Sequence, residues 1–319
     1  MLLNSRTYLG NDKLRKAGVK LEYSIEQLQE YSKCSEDPEY FIRNYVYIIT
    51  NAQSKKFNLY DCQKELINHY NENRFSILMA ARQSGKTDTT WAYILWYILF
   101  NPYKRCAILA NKENRAKDTL TRLKKAYEKL PDWLQQGVIT WNKKTIELEN
   151  ESSVIIAATT ESGITGDTIS LLYLDEFALV PNNIAEGFWA SAWPTISSGT
   201  ESKVIISSTP RGYNLFWKFW EEAKQGISNF KQFWIKWDDV PWRTKVWLDE
   251  QEKVLGKVKF SSEILCNFEG STHTLIDSSY INLQPKRKPI LEDEHLRIYE
   301  EPIENHSYVS IVDTARGVE

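Results

Sequence analysis

From residue 75 onward, short apolar, β-rich runs alternate with longer amphipathic stretches, and no other feature limits the fold of this chain as tightly. The runs are FSILMA (75–80), RCAILA (105–110), SVIIAAT (153–159), SLLYLD (170–175), KVIISST (203–209) and NFKQFWIKW (229–237). Helical patterns fill 86–100, 112–130, 184–192 and 213–225. Strands that are apolar almost throughout must be buried on both faces, which predicts an α/β fold with a mostly parallel sheet flanked by helices. KTIELEN and SSVIIAA, turning at Asn150 and Glu151, predict a local hairpin within it.

The flanks differ. Residues 1–55 open polar and then turn helical, with Ser24 placed as the N-cap of SIEQLQEYSKC and Asp37-Pro38 opening DPEYFIRNYVYI. Beyond residue 240, PWRTKVWLDEQEKVLGK and KFSSEILCNF predict two helices of a smaller subdomain. The proline-punctuated, charged stretch 284–307 then reads as a linker. SYVSIVDTARGVE begins a new apolar strand and stops, so the chain is expected to be cut there. With 40 basic and 42 acidic residues there is no global cationic field, and a nucleic acid would need a local patch. No apolar run approaches the ~18 residues of a membrane span, and no secretory leader is recognisable at the N-terminus. The four cysteines are scattered singly, as reduced, buried, cytosolic thiols are.

The segment AARQSGKT (80–87) joins one predicted strand to one predicted helix. Backbone N–H groups of such a turn and of the helix start can point at phosphate oxygens. Gln83, Ser84 and Gly85 would form the loop, Lys86 would reach the β- and γ-phosphates, and the Thr87 hydroxyl would bind Mg²⁺. Ala80 stands where the motif's first glycine is usual. Eighty-nine residues past Lys86, the run SLLYLDEFA ends in Asp175 and Glu176. The first carboxylate can hold Mg²⁺ through water, and the second can act as general base toward an attacking water. KVIISSTPRG ends in Ser208, Thr209 and Pro210, small hydroxyl residues placed to sense and relay phosphate loss. Gln63, about twenty residues upstream of the loop, has an amide that could pair with adenine and so favour ATP.

Between Lys104 and Lys129 nine basic residues face three acidic ones, mostly on ENRAKDTLTRLKKAYEKL. That helix face suits a phosphate backbone or simply solvent. Trp217, Trp220, Trp234 and Trp237 suit a core better than base stacking.

Taken together, RQSGKT, LLYLDEFA and SSTPRG at these distances, with the flanks KCSEDPEYFIRNYVYI, LYDCQKELI and CNFEGSTHTLI, resemble the large terminase subunit of tailed bacteriophages. The resemblance runs from about residue 33 to the end. It implies a RecA-like (ASCE) P-loop ATPase over 56–240, a linker or lid subdomain over 241–305, and over 306–319 the first strand of a truncated RNase H-like nuclease domain. It also implies an ATP-driven motor that moves double-stranded viral DNA into a prohead. Such a motor works with a portal protein and a small terminase subunit, assembles as a ring on the portal, and is found in the host cytoplasm. By the same resemblance Arg82 is a γ-phosphate contact, Gln63 fits the adenine position, and Asp313 in SIVDTARG is a nuclease metal ligand of an incomplete site, so nuclease activity is expected only of a longer chain. Several members carry an arginine finger eleven residues before the catalytic Glu. Thr165 stands there, which leaves Arg82 or Arg211. The alternatives are a superfamily-2-type helicase or translocase, which needs a second RecA-like domain, and a catalytically degenerate nucleotide-binding scaffold.

Overall fold

The computed structural model describes residues 6–50, 53–160, 164, 168–268, 289–293 and 296–309, which fall into two compact units, 1–273 and 274–319. In the first unit the chain runs through β1 Thr7–Tyr8, β2 Asn11–Arg15, α1 Ile25–Glu36, α2 Pro38–Tyr45, β3 Tyr47–Thr50, β4 Gln53–Lys56 and α3 Asp61–Glu72. It continues through β5 Phe75–Ala80, α4 Lys86–Phe100, β6 Arg105–Ala110, α5 Glu113–Tyr127, β7 Val138–Trp141, β8 Thr145–Leu148, β9 Ser153–Ala158 and β10 Leu171–Asp175. It closes with α6 Asn182–Ser198, β11 Lys203–Ser208, α7 Leu215–Lys224, β12 Lys231–Ile235, α8 Lys245–Leu255 and α9 Lys257–Glu263. In the second unit, β13 Leu291–Glu292 pairs with β14 Arg297–Ile298 as an antiparallel hairpin.

Eight strands form one sheet in the order β12-β5-β11-β10-β6-β9-β8-β7. The six from β12 to β9 are parallel, while β8 and β7 add antiparallel at one edge. Side-chain alternation sends Leu78, Ala80 and Tyr173 into a core beneath α1–α5. Ile77, Met79, Leu172 and Leu174 go to a second core beneath α6 and α7. Both faces are thus dry, as apolar strands without alternation require. α4 is buried almost all round because it lies between α2, α3, α5 and the sheet.

Local signals set most boundaries. Ser24 caps α1 in a reciprocal capping box with Gln27, and the Asp37 side chain accepts from Tyr40 N at the start of α2. α6 runs to Ser198, past Pro194, where the sequence reading stopped at 192; its apolar face (Phe188, Ala192, Ile196) is held by the second core. The N-terminal segment, read as helical, also holds two hairpins, β1-β2 and β3-β4. The first turns at Leu9 and Gly10, both in left-handed backbone (φ 48° and 79°). β7 was likewise absent from the sequence reading. Trp220 is buried, yet Trp234 is 43% exposed with the Lys236 ammonium over its ring, so the tryptophans are not uniformly core. All four cysteines are buried free thiols. No helix among the described residues is long and apolar enough to cross a membrane.

Candidate functional site

Three strand ends converge on the carboxyl edge of the sheet: β5, β11 and β10, adjacent in that order. β5 delivers the chain to Ala80 and Ala81. Gln83 (φ 58°) and Gly85 (φ 83°) then turn it into α4, which starts at Lys86. Gly85 is required twice over, since its φ is left-handed and a Cβ there would lie 2.3 Å from Gln63 Nε2. No side chain caps the start of α4, so its first-turn N–H groups keep their capacity for an anion.

Lys86 is 8% exposed, and its Nζ donates to Glu176 Oε1 at 2.5 Å. Burial alone would lower the Lys86 pKa, but the Glu176 and Asp175 carboxylates outweigh it and hold the ammonium protonated. Glu176 sits in left-handed backbone at φ 53°, ψ 43°, an uncommon conformation for a side chain of its size. That twist at the end of β10 separates the two acids: Glu176 faces Lys86, and Asp175 stays in the sheet. Asp175 Oδ1 accepts from Thr87 Oγ1 at 3.5 Å, from Tyr173 OH at 2.8 Å and from Ser207 Oγ at 3.1 Å. Its pKa is raised, first by burial and also by Glu176, against the pull of Lys86. Thr87 and Asp175 thus offer two hard oxygen donors, one anionic, side by side. That is the donor chemistry Mg²⁺ takes while keeping several waters, so the residues fit the ion.

The remaining candidates divide. Ser208 Oγ accepts from Ala178 N at 3.1 Å, just past Glu176, and Thr209 Oγ1 donates to Ala80 O at 3.2 Å. Together with the buried Pro210 they tie the acidic turn to the strand that leads into the loop. Gln63 is 2% exposed: its Oε1 accepts from Tyr60 N at 2.9 Å and its Nε2 donates to Ser84 O at 3.4 Å. The adenine pairing expected of it would need that amide to leave both partners. Arg82 points to α9, pairing with Glu263 Oε2 at 2.7 Å, and not toward Lys86. Asp313 and Thr165 lie outside the described residues.

Tyr173 and Ser207, which hold the carboxylate of Asp175, escaped the sequence reading. The signal available was a hydroxyl at an inward position of each otherwise apolar strand. Arg115 on α5 was not singled out either; its charge opposes the two carboxylates at Lys86 without reversing them. Elsewhere, a concavity of about 390 Å³ lined by Asp12, Arg15, Glu128 and Gln135 belongs to the β1-β2 region, away from these groups. On α5, Arg122 pairs with Asp88 and Lys124 lies over Trp141, and just past the helix Lys129 lies over Tyr47. Lys112, Lys117 and Lys125 point outward.

Comparison with known proteins agrees with this geometry. The family "Terminase large subunit, T4likevirus-type, N-terminal" matches residues 77–283. The terminase large subunit of Thermus phage G20c is 22% identical over 243 residues, covering 66% of this chain and 49% of that protein. The chain therefore spans about half the length of that relative. The large terminase ATPase domain of Thermus phage P74-26 shares the fold at a TM-score of 0.56 and 21% identity, over 66% of this chain and 94% of that one. The large terminase of a thermophilic bacteriophage, solved in complex with ADP, shares it at a TM-score of 0.55 and 16% identity, over 69% of this chain and 57% of that one. With two strand ends presenting a phosphate loop and an acid pair on a RecA-like sheet, and a family match over well over half its length, the chain belongs to the large terminase subunits.

Proposed function

We propose that this chain is the ATP-hydrolysing part of a motor that drives double-stranded viral DNA into a prohead. The observation that carries the reading is the meeting of Lys86 with Glu176 and of Thr87 with Asp175 across about ninety residues of sequence. Lys86 binds the β- and γ-phosphate oxygens, with Gln83, Ser84 and Gly85 cradling them through backbone N–H groups. Thr87 and Asp175 would hold Mg²⁺, and the ion would supply neutralisation of charge on the phosphates. In the free chain Glu176 is paired with Lys86. Phosphate oxygens that compete for the Lys86 ammonium release the Glu176 carboxylate to take a proton from the attacking water. Ser208, Thr209 and Pro210 carry the change from the acidic turn to the end of β5. Arg82 completes the γ-phosphate contacts from the loop, and Gln63 turns toward adenine only by leaving both Tyr60 N and Ser84 O. The large terminase of the thermophilic bacteriophage has been seen with ADP, which supports a nucleotide here.

The outward side of α5, with Lys117 and Lys125 on the helix and Lys112 at its N-cap, is the DNA-facing candidate of this unit. The portal protein, the small terminase subunit and further copies in a ring are the partners we propose, in the host cytoplasm on the prohead. Among the described residues after 240 there is no second RecA-like sheet, which counts against a helicase. Intact Lys86, Thr87, Asp175 and Glu176 count against a degenerate scaffold. The test is ATP hydrolysis with and without double-stranded DNA, beside a strand-displacement assay. DNA-stimulated hydrolysis without unwinding is expected; unwinding would favour the helicase, and no hydrolysis the scaffold.

A further inference from the structure

α4 and α5 leave the sheet side by side. Each follows a parallel strand, β5 or β6, from the carboxyl edge, and the two pack against each other over one face of the sheet. The Asp88 carboxylate in the first turn of α4 accepts from Arg122 Nη1 at 2.9 Å and from Trp91 Nε1 at 2.8 Å, which sets the axial register of the two helices. Arg115 stands seven residues before Arg122, so it lies on the same side of α5, two turns nearer the carboxyl edge. Two turns rise about 10 Å, which carries Arg115 past Asp88 to the space in front of the uncapped first turn of α4. Strand register agrees, since Ala110 at the end of β6 is the partner of Asp175 at the end of β10, and α5 starts just beyond it. The Arg115 side chain is exposed, and among the described residues it has no ion pair, although its neighbours on α5 do: Arg122 with Asp88, and Glu113 with Lys144 at 2.8 Å. Beside burial, the Arg115 charge is what works to lower the Lys86 pKa against the two carboxylates, so the two cations face one space.

We infer that Arg115 is a further contact for the terminal phosphate of ATP, reaching it from α5 across the start of α4. This rests on the reading of the Lys86 loop as a nucleotide site. A guanidinium that no carboxylate neutralises keeps its donors open, and its planar fork matches phosphate oxygens. Lys86 and Arg115 repel each other in the free chain, and an anion between them turns that repulsion into two attractions. The terminal phosphate brings charge that ADP lacks at this place, so Arg115 tells ATP from ADP. No other cation of α5 shares the position: Lys117, two residues on, is turned to the opposite side of the helix, and Arg122 is held by Asp88.

The test is calorimetric binding of a non-hydrolysable ATP analogue and of ADP to the whole chain, for the wild type, Arg115→Ala, Arg115→Gln, Arg115→Lys and Lys86→Ala, with Arg122→Ala as the control on the same side of α5. Arg115→Ala and Arg115→Gln should each weaken the ATP analogue roughly 5- to 20-fold and leave ADP nearly unchanged. Arg115→Lys, which keeps the charge and loses the fork, should recover part of that loss, and Arg122→Ala should leave the ratio of the two affinities as it is. If the ratio is unchanged in Arg115→Ala while Lys86→Ala weakens binding, Arg115 does not touch the phosphate, and the loop remains the nucleotide site. Equal weakening of ATP analogue and ADP in Arg115→Ala also overturns the inference, and so does a loss confined to the affinity for double-stranded DNA, which would place Arg115 on the DNA-facing side. If Lys86→Ala itself leaves nucleotide binding unchanged, the reading of the site fails, and this inference with it.

Discussion

The two ends of the phosphate loop are anchored in opposite ways. At the helix end, Lys86 and Glu176 pair with side chains 10% and 26% exposed, and Thr87 meets a buried Asp175 held by Tyr173 and Ser207. At the strand end, Arg82 and Glu263 pair with side chains 61% and 27% exposed, backed by the Arg82 N–H donating to Glu263 O and by Arg243 Nη2 donating to Arg82 O. The buried pair is sheltered from solvent screening, whereas the exposed pair is screened by water and salt and is worth little by itself. One end keeps its charges largely out of water, and the other leaves them open to solvent. Both pairs join segments far apart in sequence, so the loop is a junction between the acidic strand end and the segment after β12.

This contrast sets the order of expected effects. The largest belongs to the buried end: Glu176→Gln should keep nucleotide binding and lower hydrolysis by the ~10²- to 10⁴-fold typical of a lost general base. A phosphate-release assay beside calorimetry measures both, and near-normal turnover would remove Glu176 from that role. Next, Lys86→Ala should weaken nucleotide binding by roughly 10- to 100-fold, the worth of a charge-assisted contact. Unchanged affinity would mean that the phosphates do not sit at the helix end at all.

A smaller effect sharpens the comparison from the side of stability. Asp175 is a buried acid whose burial disfavours its charge, so Asp175→Asn, which keeps an acceptor for Tyr173 and Ser207, should stabilise the free chain while abolishing Mg²⁺-dependent hydrolysis. A gain of about 1 kcal/mol raises the melting temperature by about 2 °C in a chain of this size, measurable by thermal unfolding. Lower stability in Asp175→Asn would show that the charge itself holds the site together.

The smallest effect calibrates the rest, far from either pair. Burial lowers the pKa of His69, against the Lys231 backbone and Glu72, where the ring packs on Phe233. Its folded pKa lies below 6.5, so the unfolded chain binds the proton first and stability is lost as pH falls through that value. Denaturant unfolding at pH 7.5 and 5.5 should show this loss, and His69→Gln should reduce it without changing nucleotide affinity. An equal loss in that variant would assign the pH dependence to other groups.

Some of the site was legible because its causes are local. An apolar run, a glycine with no alternative conformation and an amphipathic run fix strand, turn and helix in that order, so β5, Gly85 and α4 fall where AARQSGKT places them. Asp175 and Glu176 at the tip of β10 are legible for the same reason. The partners of Gln63 were not, because its amide is committed to Tyr60 N and Ser84 O by packing that no spacing reveals. Nor were β1-β2 and β3-β4, short hairpins whose residues carry little apolar alternation.

By itself the sequence determined the two-faced burial of the strands, the turn into α4 and the acids at the end of β10, since each depends on interactions within a few residues. The tertiary structure alone decided that β11 lies between β5 and β10, that the backbone twist at Glu176 turns its carboxylate onto Lys86, and that Glu263, 181 residues away, takes the guanidinium of Arg82. Strand order and long-range ion pairs follow from how crossovers and packed helices close over the sheet, and that closure is a property of the whole chain that no local window contains.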